Sequence, residues 1–406
     1  MNQFFQKYLS FSPIHPVQMG YFIVIELLLV FGKEFSKFQI VGPVHLYDLL
    51  LGILGIFSAI IILRNKKFAF SWPILVLLGL SLIYLSYSFI ARIGAVNHII
   101  RHYALFLYLG VCYLIFQSYI NEQRHGINLR FLILIGIASM GLQIAYLLYL
   151  IFSNPHFDIR GFNYFSPMVI MGVLIGLAFF LTLFQGRLFL KITFAAIAFF
   201  LALTFGHASA FLAALTIVGC YFFMRWPAKI KVLIAAGFTV LILTFLQFLP
   251  QFSDTNATFR VVYWKNLLKE SVTEYYGVLG HGFGVPYGSE ETFSMLSQQV
   301  GAEWFNYRPE ERYLAPSHNS FLTIVFHTGL ISVFLIMIPM RKAFQYFFKN
   351  KGTSNPATEF LLLSLAGLTV WASFNVILEL PHSSGIYWLV YFSALYHFSG
   401  AKNTKN

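Results

Sequence analysis

Apolar stretches separated by short polar breaks follow one another along almost the whole chain. Twelve runs stand out, at about 17–32, 45–63, 70–91, 98–120, 131–152, 166–185, 188–206, 208–224, 231–250, 317–340, 359–380 and 385–399. Apolar runs of about 18 or more residues read as membrane-spanning helices, because at the rise of an α-helix they cross the hydrocarbon layer. The first run is short and carries Glu26. The seventh and eighth are nearly continuous, and the break at Gly206-His207 reads as a tight extracytoplasmic hairpin. The pattern predicts an all-α polytopic membrane protein, a single transmembrane domain over residues 1–406 with about 12 transmembrane helices. The longest hydrophilic interruption, Gln251 to Ser317, is expected to be an extracytoplasmic loop between spans 9 and 10. No internal repeat is evident, which argues against an inverted-repeat transporter.

Composition agrees with this pattern. The chain is 58% hydrophobic and 19% aromatic, with only 10% charged residues, where a soluble domain carries roughly a quarter. No A-x-A-like site follows the short polar-aromatic N-terminus, so the first helix is expected to act as a retained signal. Cys112 and Cys220 both fall inside apolar runs and give neither a disulfide framework nor zinc spacing. With the N-terminus in the cytoplasm, the cytoplasmic segments hold 17 of the 27 Lys and Arg, as the positive-inside rule expects. Most of the formal charge of +12 is therefore topology signal. No basic stripe with interleaved aromatics suggests nucleic acid as a partner.

The same topology puts His45, His98, His102, His156, His207, His281, His318 and His382 at or near the outer face, a bias that suggests polar chemistry just outside the membrane. The 251–317 segment holds eight of the fifteen acidic residues together with Arg260, Lys265, Lys269, Arg308 and Arg312. A loop this long is usually functional rather than a connector.

Four stretches carry candidate chemistry. In Phe259–Glu270, Val261, Trp264, Leu267 and Leu268 fall on one side of a helix. That helix either lies on the headgroups or aims Arg260 into a cavity, where a guanidinium fork holds phosphate. Gly277–Gly288 is rich in glycine and turns, with the wrong spacing for a dinucleotide or P-loop motif; His281 within it is a weaker site candidate. In Arg308–Ser320, span ten is expected to start at Pro316 or Ser317, which puts His318 in its first turn. There the helix dipole keeps an imidazole neutral, as a general base needs, and favours phosphate; a histidine capping the helix is the alternative. His327, nine residues on, falls on the opposite helix face roughly 13 Å deeper and reads as a packing or hydrogen-bonding residue. In His98–Phe106, Arg101 lies between His98 and His102 at i, i+4; lipid phosphate or snorkelling explains the arginine, and no neighbouring carboxylate supports a metal site. Glu379, beside Pro381-His382, is another carboxylate at an outer helix end.

Together these residues resemble the O-antigen ligase/polymerase superfamily, polytopic bacterial glycosyltransferases that use polyprenyl-diphosphate-linked glycans. The pattern is a late periplasmic loop opened by an Arg-and-Trp helix (Arg260, Trp264) and continued by a glycine turn (Gly280, Gly282, Gly284). It ends in His-Asn, nine residues, Gly, two residues and a small residue (His318, Asn319, Gly329, Ser332). The resemblance implies a metal-independent, cofactor-free inverting transfer at the periplasmic face of the bacterial inner membrane. The donor it implies is an undecaprenyl-diphosphate-linked glycan. His318 is then the base for the acceptor hydroxyl, with Asn319 beside the substrate. Arg260, with Arg308, Arg312 or Arg101, binds the diphosphate. The acceptor is a growing glycan in an O-antigen or exopolysaccharide polymerase, or lipid A core in a ligase. Membrane lipids and a chain-length regulator are the further partners implied; a lipid-linked glycan transporter is the alternative from another class.

Overall fold

The computed structural model describes residues 15–41, 44–66, 68, 71–120, 125–153, 167–183, 187–204, 208–225, 227, 237, 255–273, 276–299, 311–314, 316–349 and 355–400. The apolar runs form α1 (Pro16–Lys37), α2 (Leu46–Asn65), α3 (Trp72–Ile90), α4 (Val96–Ile120), α5 (His125–Ser153), α6 (Pro167–Leu183), α7 (Leu188–Thr204) and α8 (Ala208–Arg225). Four of the described helices open on proline, at Pro16, Pro167, Pro356 and Pro381, and Pro73 is the second residue of α3. Proline's fixed φ suits a first turn whose N–H groups have no helical partner. The all-α expectation needs a small amendment, since Gln39–Val41 and Val44–His45 pair as an antiparallel two-stranded ribbon before α2.

The expected ninth span and the Gly206-His207 hairpin lie outside the described residues. The 251–317 segment is largely helical where described, with α9 (Thr255–Thr273), α10 (Tyr276–Leu279), α11 (Glu290–Gln299) and α12 (Glu311–Leu314). The tenth span departs from a continuous helix. It forms α13 (Ser320–Thr328), breaks at Gly329, and resumes as α14 (Leu330–Met337), a short 3-10 turn and α15 (Arg341–Lys349). The last two helices are α16 (Pro356–Ser373) and α17 (Pro381–Gly400).

Five helices among the described residues are long and apolar enough to cross a membrane, namely α2, α3, α4, most of α5, and α16. Their apolar windows are buried to different extents, 22% in α2 and 28% in α3 against 67% in α16. The first two therefore present apolar side chains outward, as lipid-facing helices do, while α16 is central and packs on α6, α8 and α17. α17 brings Tyr387, Trp388, Tyr391 and Phe392 into the core and closes against α1, where the Tyr21 hydroxyl donates to the Gly385 carbonyl at 2.6 Å.

α5 and α6 meet through small residues. A Cβ on Gly136 would lie 2.7 Å from the Gly176 nitrogen, and one on Gly176 would lie 2.6 Å from the Met140 sulfur and 2.9 Å from the Gly136 carbonyl oxygen. Gly172 and Gly176 thus form a small-xxx-small seam that lets the backbones approach, the means by which helices associate in lipid. Replacing Gly176 by Leu is expected to lower unfolding stability by on the order of 2 kcal/mol through overpacking. Gly79→Ala, whose Cβ would meet nothing within 4 Å, should be neutral or stabilising. Thermal unfolding of the purified variants reads both.

Candidate functional site

The end of the bundle that gathers the C-terminus of α3, the N-termini of α4, α8 and α13, and the C-terminus of α16 carries the described segments 276–299, 311–314 and 316–320. Their anchor is the glycine turn, where Gly280, Gly282 and Gly284 have φ of +77°, +83° and +88°, a region that L side chains rarely adopt. The turn docks into the break of the tenth span. The His281 N–H donates to the Phe326 carbonyl (2.8 Å) and the Gly282 N–H to the His327 carbonyl (2.9 Å). The break supplies room for this. Gly329 also has φ +77°, and a Cβ there would collide with the Val278 carbonyl.

Two histidines clamp the turn from either side. The Gly284 N–H donates to His102 Nδ1 at 3.1 Å, so the ring hydrogen sits on Nε2, which donates to the Tyr313 carbonyl at 2.8 Å. His327 takes the other tautomer: Nδ1–H donates to the Gly282 carbonyl (2.8 Å), and Nε2 accepts from the Tyr287 hydroxyl (3.2 Å). Burial pushes the Tyr287 phenol up from its ordinary pKa, which keeps that donor protonated. The His102 and His327 rings lie 4.7 Å apart, tilted by 36°. The His98–His102 pair is therefore given to holding backbone and stacking on Tyr313, and no cluster of metal-ligating residues occurs among the described residues. Arg101, between them, stays exposed on α4, beside His102 and within electrostatic reach of Tyr287.

α9 lies across this assembly. Its buried stripe is Phe259, Tyr263 and Leu267, packed against Tyr287, Phe293, Leu296 and Phe326. The expected stripe was displaced by one helix flank, because Val261 and Leu268 are 62% and 47% exposed. Hydrophobicity alone did not distinguish them, and Phe259 and Tyr263 took the interior together with Leu267, the one expected stripe residue that is fully buried. At 100° per residue the stripe has two flanks. Arg260 and Trp264 share one, and Asn266 and Lys269 share the other.

The first flank faces the start of the tenth span, where the Trp264 indole N–H donates to the Ser317 carbonyl. His318 is not in the first helical turn. Asn319 is the N-cap and accepts the Leu322 N–H at 3.0 Å, so His318 precedes the cap, with φ +51°. Its ring meets Phe259 edge-on at 6.5 Å. Asn319, rather than the expected Pro316 or Ser317, sets the helix start because its side-chain oxygen satisfies an orphan N–H there. Beneath them, the Ser320 hydroxyl donates to Glu379 Oε2 (2.5 Å) and accepts the N–H groups of Ile377 (2.9 Å) and Leu378 (3.1 Å). The other Glu379 oxygen is buried without a hydrogen-bond partner among the described residues.

The second flank borders a polar cavity of about 560 Å³ shared by Asn266, Lys269, His281, Glu291, Thr292 and Arg312. Arg312 also fastens the turn, since its Nε–H donates to the Gly288 carbonyl (3.0 Å) and its carbonyl accepts from Tyr287 (2.7 Å). The predicted site residues are thus divided. Arg260, His318 and Asn319 lie on one side of α9, Arg312 lies in the cavity on the other, Arg101 is on α4, and Arg308 lies outside the described residues. Lys269 had no signal marking it as a cavity residue, because its flank is set by which aromatic stripe is buried. Comparison with protein-family models, with curated proteins and with solved structures finds no match to this chain.

The left-handed backbone of His318 is costly for a residue with a Cβ, by about 1 kcal/mol. His318→Gly should therefore raise unfolding stability by about that amount while removing the imidazole. Gly280→Ala should lower it by on the order of 2 kcal/mol, because the new Cβ would sit 2.6 Å from the His327 carbonyl oxygen. Chemical or thermal unfolding of each variant beside the parent decides both signs.

Proposed function

We propose that the protein is a glycosyltransferase of the O-antigen ligase/polymerase type. In this reading it moves a glycan from undecaprenyl diphosphate onto an acceptor sugar at the outer face of the bacterial inner membrane, as an O-antigen or exopolysaccharide repeat-unit polymerase. The observation that carries the reading is the meeting of the three motif segments. Trp264 is bonded to the Ser317 carbonyl, Phe259 meets the His318 ring, and the glycine turn is hydrogen-bonded to the Phe326 and His327 carbonyls. Segments separated in sequence thus form one assembly at one end of an apolar helix bundle, with cations on both flanks of α9.

The chemistry follows from the residue types. A lipid diphosphate is already an activated leaving group, so the transfer needs a base for the acceptor hydroxyl and positive charge for the departing diphosphate. His318 is the base, held ahead of the N-cap where the helix end disfavours imidazolium. Arg260, on the same flank of α9, carries the diphosphate as a planar fork binding two oxygens. Arg312 and Lys269 add charge in the neighbouring cavity. Asn319 fixes the backbone from which His318 projects.

Purified protein supplied with synthetic undecaprenyl-diphosphate-linked repeat units tests this. Chain growth is the expected result, and transfer confined to lipid A core would make the protein a ligase. His318→Ala should lower the transfer rate by about 10²–10⁴-fold, the usual contribution of a general base. Arg260→Ala should weaken donor affinity, and a chelator should leave the rate unchanged. Full activity in His318→Ala, or unchanged donor affinity in Arg260→Ala, would remove the corresponding assignment.

A further inference from the structure

A second feature lies at the opposite end of the bundle from the glycine turn, where α7 and α16 begin and α8 ends. Lys191, the fourth residue of α7, is only 9% exposed. Its ammonium donates to the Tyr221 hydroxyl and sits 4.7 Å from the centre of that ring. The Arg225 guanidinium covers the same ring at 3.6 Å and pairs with Glu359 at 2.5 Å. Exposed Arg187 precedes Lys191 by one turn. Lys191, Arg225 and Glu359 thus group two cations with one carboxylate, which is bonded to Arg225 and attracts Lys191 from farther off. Among the described residues no carboxylate lies within ion-pair distance of Lys191. Its position near the start of α7 adds a cost, because a helix N-terminus already carries partial positive charge.

This cluster forms one end of an otherwise apolar groove. Leu181 of α6, Ala195 and Phe199 of α7, and Val218 of α8 line a cavity of about 570 Å³ that reaches Lys191 and Arg225, within the range of about 300–1,000 Å³ usual for ligand sites. The groove opens beside Leu188, Phe189 and Ile192, which are 62%, 78% and 57% exposed on an apolar helix. A long apolar channel with surplus positive charge at the end of its helices matches one kind of molecule, an anionic chain lying in the bilayer with its phosphate at headgroup depth.

We infer that the groove between α6, α7 and α8 binds one anionic glycerophospholipid, with its phosphate on Lys191 and Arg225 and an acyl chain along Ala195, Phe199 and Val218. The phosphate adds counter-charge to a group in which two cations share one carboxylate, and the chain fills the cavity that the described residues of α6, α7 and α8 line. The site is independent of the transferase reading, since it lies at the other end of the helices and uses none of that site's residues.

Native mass spectrometry and thermal shift of the purified protein, titrated with phosphatidylglycerol, test the inference. Phosphatidylcholine with the same acyl chains and glycerol 3-phosphate serve as the comparison probes. One saturable phosphatidylglycerol adduct that raises the melting temperature is expected, with little effect of either comparison probe. Lys191→Gln should weaken that adduct about fivefold, the factor that corresponds to about 1 kcal/mol for one cation near anionic lipid, and Lys191→Arg should retain it. Ala195→Trp fills the channel without touching the charge and should weaken it as well. An unaltered far-UV circular dichroism spectrum and elution profile show that each variant is folded. Equal phosphatidylglycerol binding by folded Lys191→Gln and the parent would overturn the proposal. So would glycerol 3-phosphate competing as strongly as the lipid, or full binding by Ala195→Trp.

Discussion

Backbone meets backbone where Gly280 approaches Gly329, and the loop end of the molecule is arranged around that contact. A side chain on Gly280 would lie 2.5 Å from the Gly329 nitrogen and 2.6 Å from the His327 carbonyl oxygen. Because both residues are bare, the turn can use the polar groups of the helix break as hydrogen-bond partners. The break in turn finds partners for the groups that a continuous helix would have satisfied internally. Irregular backbone at the edge of a bilayer is tolerated only when it is covered in this way. α9, α11 and α12 then rest on the turn through Tyr287, Phe326 and Arg312.

Polarity inside this end of the protein is spent mainly on placing backbone. His102 and His327, Ser88 under Phe283 (2.8 Å), and Ser320 under the 377–378 segment each hold main-chain groups rather than standing open to a ligand. Histidine suits the task because one neutral ring offers a donor and an acceptor in fixed directions, so a carbonyl and an N–H from different segments can be tied together. Other polar side chains border the flanks of α9. His318 and Arg260 stand on one side, and Lys269, His281 and Arg312 on the other.

The apolar runs were legible because length and apolarity are counted directly along a chain, and their boundaries agree with most helices to within a few residues. The break in the tenth span was harder to read. Gly329 in an apolar run suggests close packing, but a kink depends on what approaches it, and Gly280 lies far away in sequence. His318 was misplaced by one turn for a local reason, since Ser317, Asn319 and Ser320 all cap helices and only the tertiary setting chooses among them. The stripe of α9 was misassigned because Val261 and Leu268 are as apolar as Phe259 and Tyr263. The small-residue seam of α5 and α6 was open to reading in Gly172-x-x-x-Gly176, whereas its partner Gly136 was not.

The hydrogen bond from Tyr21 to Gly385 spans 364 residues, and it carries a consequence for assembly. α1 is made long before α17, so it must wait in the bilayer with a phenol that its final partner has not yet reached. The glycine turn waits too, though for less of the chain, until Gly329 has followed it out. Synthesis therefore yields a lipid-facing scaffold of early helices before it yields a core, and contacts of long sequence separation are the slow ones to form. A chaperone or insertase that shields polar groups in half-built bundles has its work here concentrated on α1 and on the glycine turn until their later partners arrive.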